Sequence, residues 1–219
     1  MTRSRRSRGT NPQQAQGITA LWLLRILVPF GGQDDLLGRT SFSKDSIVQA
    51  VGLGDWIDND DRDFDATAIR SQLRDMYRKA EAGVDGIMPP PTLIAHMERL
   101  ANLGGLSATD CRILEFSAMM HHDRVLDDGA DTLGQLCSVN VMDTLARLLD
   151  LDPADVRSAL SPHGLLARSG LLAMDCTGSG HLRSKLDLLS EKFADYILAC
   201  ETDPLSLLRD TVRPSLNFA

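Results

Sequence analysis

Aromatic residues are scarce in this chain, at 5% of 219 positions. Leu, Ala, Met and Ile must therefore fill the interior, which suits helix packing better than a β-sandwich. Cysteine is sparse too. Cys111, Cys137, Cys176 and Cys200 lie far apart and form no CxxC pair. That excludes the dense disulfide framework of small secreted domains. The four read as reduced thiols of a cytoplasmic protein, most of them core packing. A long unbroken apolar run is also missing. The stretch from Ile18 to Phe30 is interrupted by Arg25, and it is too short to span a bilayer. No clear small-residue cleavage site follows it, so an export signal is set aside. The expectation is a disordered basic arm over residues 1–14, then an amphipathic helix that buries Leu21, Leu24, Ile26, Leu27 and Val28.

No acidic residue occurs before Asp34, whereas Arg3, Arg5, Arg6, Arg8 and Arg25 do. The net charge of -7 thus divides into +5 for this opening segment and -12 for the remainder. An acidic body behind a basic arm argues against a dedicated nucleic-acid binder. The arm itself can still meet an acidic surface.

Catalytic signatures are absent as well. There is no GxSxG, no HExxH and no Walker A lysine. Gly178 and Gly180 look like part of a phosphate loop, but no Lys-Ser/Thr follows them at the required spacing. Asp61, Asp63 and Asp65 have the 1, 3, 5 spacing of a calcium loop. Ala66 then stands where the turn needs glycine, and Gln72 where a bidentate Glu belongs. Asp65 reads instead as a helix cap. His121 and His122 are adjacent on a helix, so their rings diverge and cannot share a metal. His163 and His181 are isolated. The chain is expected to be no enzyme and to hold no metal or cofactor.

What is present is helical spacing. Ile69, Leu73, Met76, Tyr77 and Ala80 line one face of a helix. GVDGIMPPP, residues 83–91, cannot continue it, and a linker over 84–91 is expected to separate an N-terminal helical subdomain, 15–83, from a helical region, 92–219. Leu93, Met97, Leu100 and Ala101 mark the next helix, ended near Gly104-Gly105. Ser107 to Asp110 forms a capping box. Ile113, Phe116 and Met120 follow on an inner face. Val141, Met142, Leu145, Leu148 and Leu149 belong to a helix at 139–149. Asp152-Pro153 opens another. Leu171 to Asp175 is a short strand, and Thr177 to Gly180 a flexible turn. Leu186, Leu189, Phe193 and Ile197 resume helical spacing. Asp203-Pro204 opens a last short helix.

Two packed helices, a strand and a glycine turn make a winged-helix-like module, about 107–200. The predicted fold class is mainly α: a helical bundle with that module embedded and a small β-hairpin near 171–185. A reading helix needs Arg, Lys, Asn or Gln towards base edges. The candidate, 153–160, presents Asp155, Arg157 and Ser158, and its predecessor adds Asp143 and Asp150. Candidate contacts to nucleic acid or an acidic partner are Arg3, Arg5, Arg6, Arg8, Arg157, Arg168, Arg183 and Lys185.

From Ser107 to Pro214 the chain resembles the region ahead of the ATPase module in a group of bacterial AAA+ ATPases. The similar pieces are SATDCRILEFSAMMHHD, DTLARLLDLDPADVRSALSPHGLLARSGLLAMD, LDLLSEKFADYIL and DPLSLLRDTVRP. The likeness lies in leucine pattern, an Asp-Pro cap and a Ser-Gly-Leu-Leu turn, and carries no catalytic residue. It implies a non-catalytic N-terminal region that recruits a protein partner or substrate, or supports assembly. ATP, magnesium and homo-oligomerisation would come only with a following ATPase module. The alternative is a winged-helix transcription regulator using its basic arm.

Overall fold

A computed structural model describes residues 12–57, 64–189 and 191–199. Arg3, Arg5, Arg6 and Arg8, the centre of the acidic loop, Cys200 and the expected helix after Asp203 lie outside these residues. Among the described residues the protein is mainly helical, with twelve α-helices and one two-stranded antiparallel sheet.

The first helix, α1 (Pro12–Leu27), begins inside the segment read as an arm. It is also not amphipathic. From Ile18 to Leu27 every side chain except Ala20 is buried. Helices α2 (Gln33–Leu36), α3 (Asp45–Ala50), α4 (Ala66–Ala82), α7 (Arg124–Asp131) and α8 (Ser138–Leu149) surround it. A helix enclosed on all sides needs apolar residues all round, and ITALWLLRIL supplies them apart from Thr19 and Arg25. The Thr19 hydroxyl donates to Asp123 at 3.1 Å.

A second enclosed helix is α6 (Ala108–His122), buried continuously from Ile113 to Met120. It packs against α5 (Pro91–Gly104), α7, α8, α9 (Pro153–Ala159) and α12 (Glu191–Ala199). The two buried helices meet where the Trp22 and Phe116 rings pack edge to face, centroids 5.1 Å apart. That geometry sets a positive ring edge against a negative face. Helix α7 touches both α1 and α6. It approaches α1 closely at Gly129, where an added Cβ would collide with the Leu23 side chain. One buried cluster runs from α1 to α12, on both sides of the proline segment. Pro91 occupies the first turn of α5, where a missing N–H costs nothing.

The helix ends follow the sequence. Asp65 accepts from the amides of Thr67 and Ala68. The Ser107 hydroxyl accepts from the Asp110 amide at 3.1 Å, and Asp110 returns the bond to the Ser107 amide at 2.9 Å. Asp152 caps α9 with Pro153 at its first position. Gly105 closes α5 in the left-handed region, φ 71°.

After α10 (Leu165–Arg168) comes β1 (Leu172–Met174), then α11 (Leu182–Lys185) and β2 (Leu186–Leu188). The strands pair Leu172 with Leu188 and Met174 with Leu186. Leu186 therefore belongs to a strand and not to the helical spacing read from Leu186 to Ile197; α12 begins at Glu191. LDLLS suits either period, and the alternation of buried Leu186, exposed Asp187 and buried Leu188 decides it.

Leu145, Leu149, Val156, Leu160 and Leu171 share the core, each at 4% exposure or less. Leu145→Ala should cost about 2–5 kcal/mol in denaturant unfolding. Gly129→Ala should cost about 1–3 kcal/mol by displacing the buried Leu23 side chain. Unchanged midpoints for both would contradict this packing.

Candidate functional site

The turn from α8 into α9 places the predicted contact helix. Asp150 adopts a left-handed conformation, φ 55°, and Leu151 bonds back to the Ala146 carbonyl at 2.8 Å. Val156 and Leu160 then face the α8 core, leaving Asp155, Arg157 and Ser158 exposed. Arg157 makes no ion pair with any described residue. Asp152 and Asp155 stand on the same short helix beside it. Arg168 is exposed at the end of α10.

The glycine turn makes several contacts with the rest of the chain. Gly180 pairs with Leu136 through two backbone bonds of 2.8 and 3.1 Å. The Lys185 ammonium donates to the carbonyls of Thr177, at 2.9 Å, and Gly178, at 3.3 Å. It also reaches Asp175 at 3.5 Å. Lys185 is 1% exposed. It cannot meet a partner, because the turn has taken its charge indoors. Carbonyls and a carboxylate replace the water it gave up. Asp175 accepts from the Thr177 hydroxyl and amide, and these bonds, with Lys185 beyond them, hold its carboxyl below the usual range.

Arg183 is tied inward too, to Asp127 of α7 at 2.9 Å. The neighbouring His181 meets Asp131 at 3.3 Å. An open cleft of about 520 Å³ lies here, lined by His121, Asp127, Asp131, Asp175, His181 and Arg183 among others. Lys44 also reaches α7, binding Asp128 at 2.7 Å and approaching Asp131 at 3.9 Å. His121 and His122 diverge as expected, to the Leu186 carbonyl and to Asp195.

The cysteines depart from their expected packing role. Cys137 and Cys176 are exposed, and Cys111 is half-buried. Small residues at turns and helix ends are not held inside by periodicity, so sequence could not place them. Burial raises the Cys111 thiol's pKa, with Glu115 and Asp110 adding to it.

Sequence reasoning missed the interior charges. Arg25 is 6% exposed. Its guanidinium donates to both Glu81 oxygens, at 2.6 and 2.9 Å, and to the Leu148 carbonyl at 2.6 Å. An arginine buried in an apolar helix needs a carboxylate on a facing one, but nothing near Arg25 in sequence says that it is buried or which carboxylate it meets. Glu81 flanks the apolar stripe of α4. Beside this pair lies a second open cleft of about 390 Å³ between Pro29, Phe30, Tyr77, Arg147 and Asp150. Arg147 sits over the Phe30 ring, 4.5 Å from its centroid.

No known protein family, curated protein or solved structure matches the chain. No helix among the described residues is long and apolar enough to cross a membrane.

Glu115 yields a pH test. It is buried, with one oxygen 3.2 Å from Arg112. Burial raises its pKa, and the Arg112 charge only partly opposes this. The unfolded chain therefore ionises first as pH rises, so stability falls from the ordinary glutamate value upwards until the folded carboxyl ionises too. Glu115→Gln should remove this loss. Its melting temperature relative to wild type should rise as pH increases from the ordinary glutamate value. A difference that stays constant with pH would show that Glu115 is not titrating in this way.

Proposed function

We propose that the chain is a non-catalytic recruiting region that binds a protein partner or substrate, of the kind that precedes the ATPase module in bacterial AAA+ proteins. One observation carries the preference for protein over DNA. In the unit formed by α8, α9 and the hairpin, the basic groups around the turn are spent internally. Lys185 is buried under the turn carbonyls and Arg183 is held by Asp127. The open face of α9 shows Asp152 and Asp155 beside Arg157. A duplex would meet repulsion where it needs donors. The order of α8, α9, β1 and β2, with the Leu136–Gly180 bridge, supports a winged-helix-like reading of this unit. The AAA+ assignment rests on the leucine pattern, the Asp-Pro cap and the Ser-Gly-Leu-Leu turn. Nucleotide, magnesium, oligomerisation and hydrolysis belong on this reading to an ATPase module, and the compartment is the cytoplasm. The competing reading, a transcription regulator, draws on exposed Arg157 and Arg168.

Two measurements separate them. Precipitation from native cells with an antibody to this chain, followed by peptide mass spectrometry, should recover Walker A peptides in the same polypeptide or in a stoichiometric partner. In fluorescence anisotropy, duplex DNA should bind weakly, without sequence preference and through Arg3, Arg5, Arg6 and Arg8. Four phosphate contacts give a slope of log affinity against log salt of roughly -3.6. Deleting residues 1–11 should abolish it, and Arg157→Ala should leave it unchanged. Tight, sequence-selective binding that survives the deletion and fails in Arg157→Ala would establish the regulator instead.

A further inference from the structure

The longest described helix, α4, lies on the outside of the core with α1 as its main packing partner. Its inward stripe is buried Ile69 and Leu73 with half-buried Met76 and Ala80. Away from that stripe run Arg70, Arg74 and Arg78, at i, i+4 and i+8. Residues so spaced are neighbours on one face, advancing about 6 Å per step. Arg74 and Arg78 are exposed and Arg70 is half-buried. Arg74, at the centre, makes no ion pair with any described residue. Arg70 meets Asp34 at 3.2 Å and Arg78 meets Asp75 at 3.0 Å, through one nitrogen each. Such exposed pairs contribute little, and each guanidinium keeps most of its donors for a bidentate partner.

A second feature adjoins this line. Tyr77 is three residues from Arg74 and seven from Arg70, hence on the same side of α4. It forms a wall of the open cleft with Phe30, Pro29 and Arg147. Tyrosine and arginine are enriched among the residues that dominate binding energy at interfaces, and Arg25, Glu81 and Asp150 complete the lining.

We infer that the outer face of α4 and the Phe30–Tyr77 cleft form a docking surface for an acidic amphipathic helix of a protein partner. This rests on the protein-recruiting reading above and names the partner's chemistry. Carboxylates at i, i+4 and i+8 on the partner would step by the same about 6 Å as the arginines. One bulky apolar side chain beside them would enter the cleft. A helix fits better than nucleic acid because Asp34, Asp75, Glu81 and Asp150 stand among the arginines. Positive charge here is a row of separate points. A helix can set a carboxylate opposite each arginine and a neutral group opposite each aspartate, whereas a phosphate backbone is negative throughout.

The probe is a fluorescein-labelled helical peptide with three glutamates at i, i+4 and i+8 and one phenylalanine on the same side. Controls carry lysine for glutamate, or alanine for phenylalanine, and a single-stranded oligodeoxynucleotide of equal charge is titrated in parallel. The full chain should bind the glutamate peptide and not the lysine peptide. Losing the phenylalanine should weaken binding several-fold. Arg74→Glu should weaken it about tenfold or more and confer binding of the lysine peptide. Arg99→Glu, with Arg99 exposed on α5, should not matter. Circular dichroism should show both variants folded, since both positions are exposed. Equal binding by wild type and Arg74→Glu overturns the site. So does no binding of the glutamate peptide. Preferential binding of the oligonucleotide, lost in Arg74→Glu, would make the surface a nucleic-acid site. Failure of the peptide together with Walker A peptides in the precipitate removes this site and leaves the recruiting reading standing.

Discussion

The buried guanidinium of Arg25 is the constraint around which the helices are arranged. An ionised group inside a protein is tolerated only when its donors are met. Arg25 meets them with a carboxylate from α4 and a carbonyl from the end of α8, so three helices must come to one point. The Glu81 bond raises the Arg25 pKa against the pull of burial, keeping the group charged. Packing by leucines alone would allow these helices to slide, because burial has no direction. A fork of fixed geometry does not allow it.

Helix α7 makes the corresponding join on the other side of α1. Gly129 lets its backbone approach Leu23, and its aspartates reach both ways. Asp128 holds Lys44 just before α3, while Asp127 and Asp131 hold Arg183 and His181 beside the hairpin. Each of these pairs is partly exposed and individually weak. Together they consume acidic and basic groups that the sequence alone offers to a partner. Of the described arginines that form no ion pair, Arg74 and Arg147 border the α4 surface.

Much of the helical frame is legible in the sequence because capping is local chemistry. Asp65, Ser107 with Asp110, and Asp152 with Pro153 act within three residues of where they stand. The shared core of Leu145, Leu149, Val156, Leu160 and Leu171 is legible for a related reason: periodicity reports a buried face. Periodicity fails where a helix is enclosed, as with α1 and α6. There the apolar content exceeds one stripe and no single face can be read. It fails also at Leu186 to Leu188, where three residues suit two periods. Long-range polar partners are the least legible. Lys185 looks like a surface cation beside a glycine turn, and only the folded turn turns its carbonyls inward to receive it. Nothing local distinguishes Arg25 as a buried ion from Arg25 as a break in an apolar run.

The central claim is that Arg25 and Glu81 act as one unit inside the fold. The direct measurement is a double-mutant cycle with Arg25→Met, Glu81→Gln and the double variant, read by denaturant unfolding. Glu81→Gln alone leaves a buried charge without its counterion and should cost about 2–4 kcal/mol. The double variant, with neither charge, should recover part of that loss, giving a coupling of about 1–3 kcal/mol. Additive effects of the two substitutions would contradict the claim and reduce the pair to incidental surface contact.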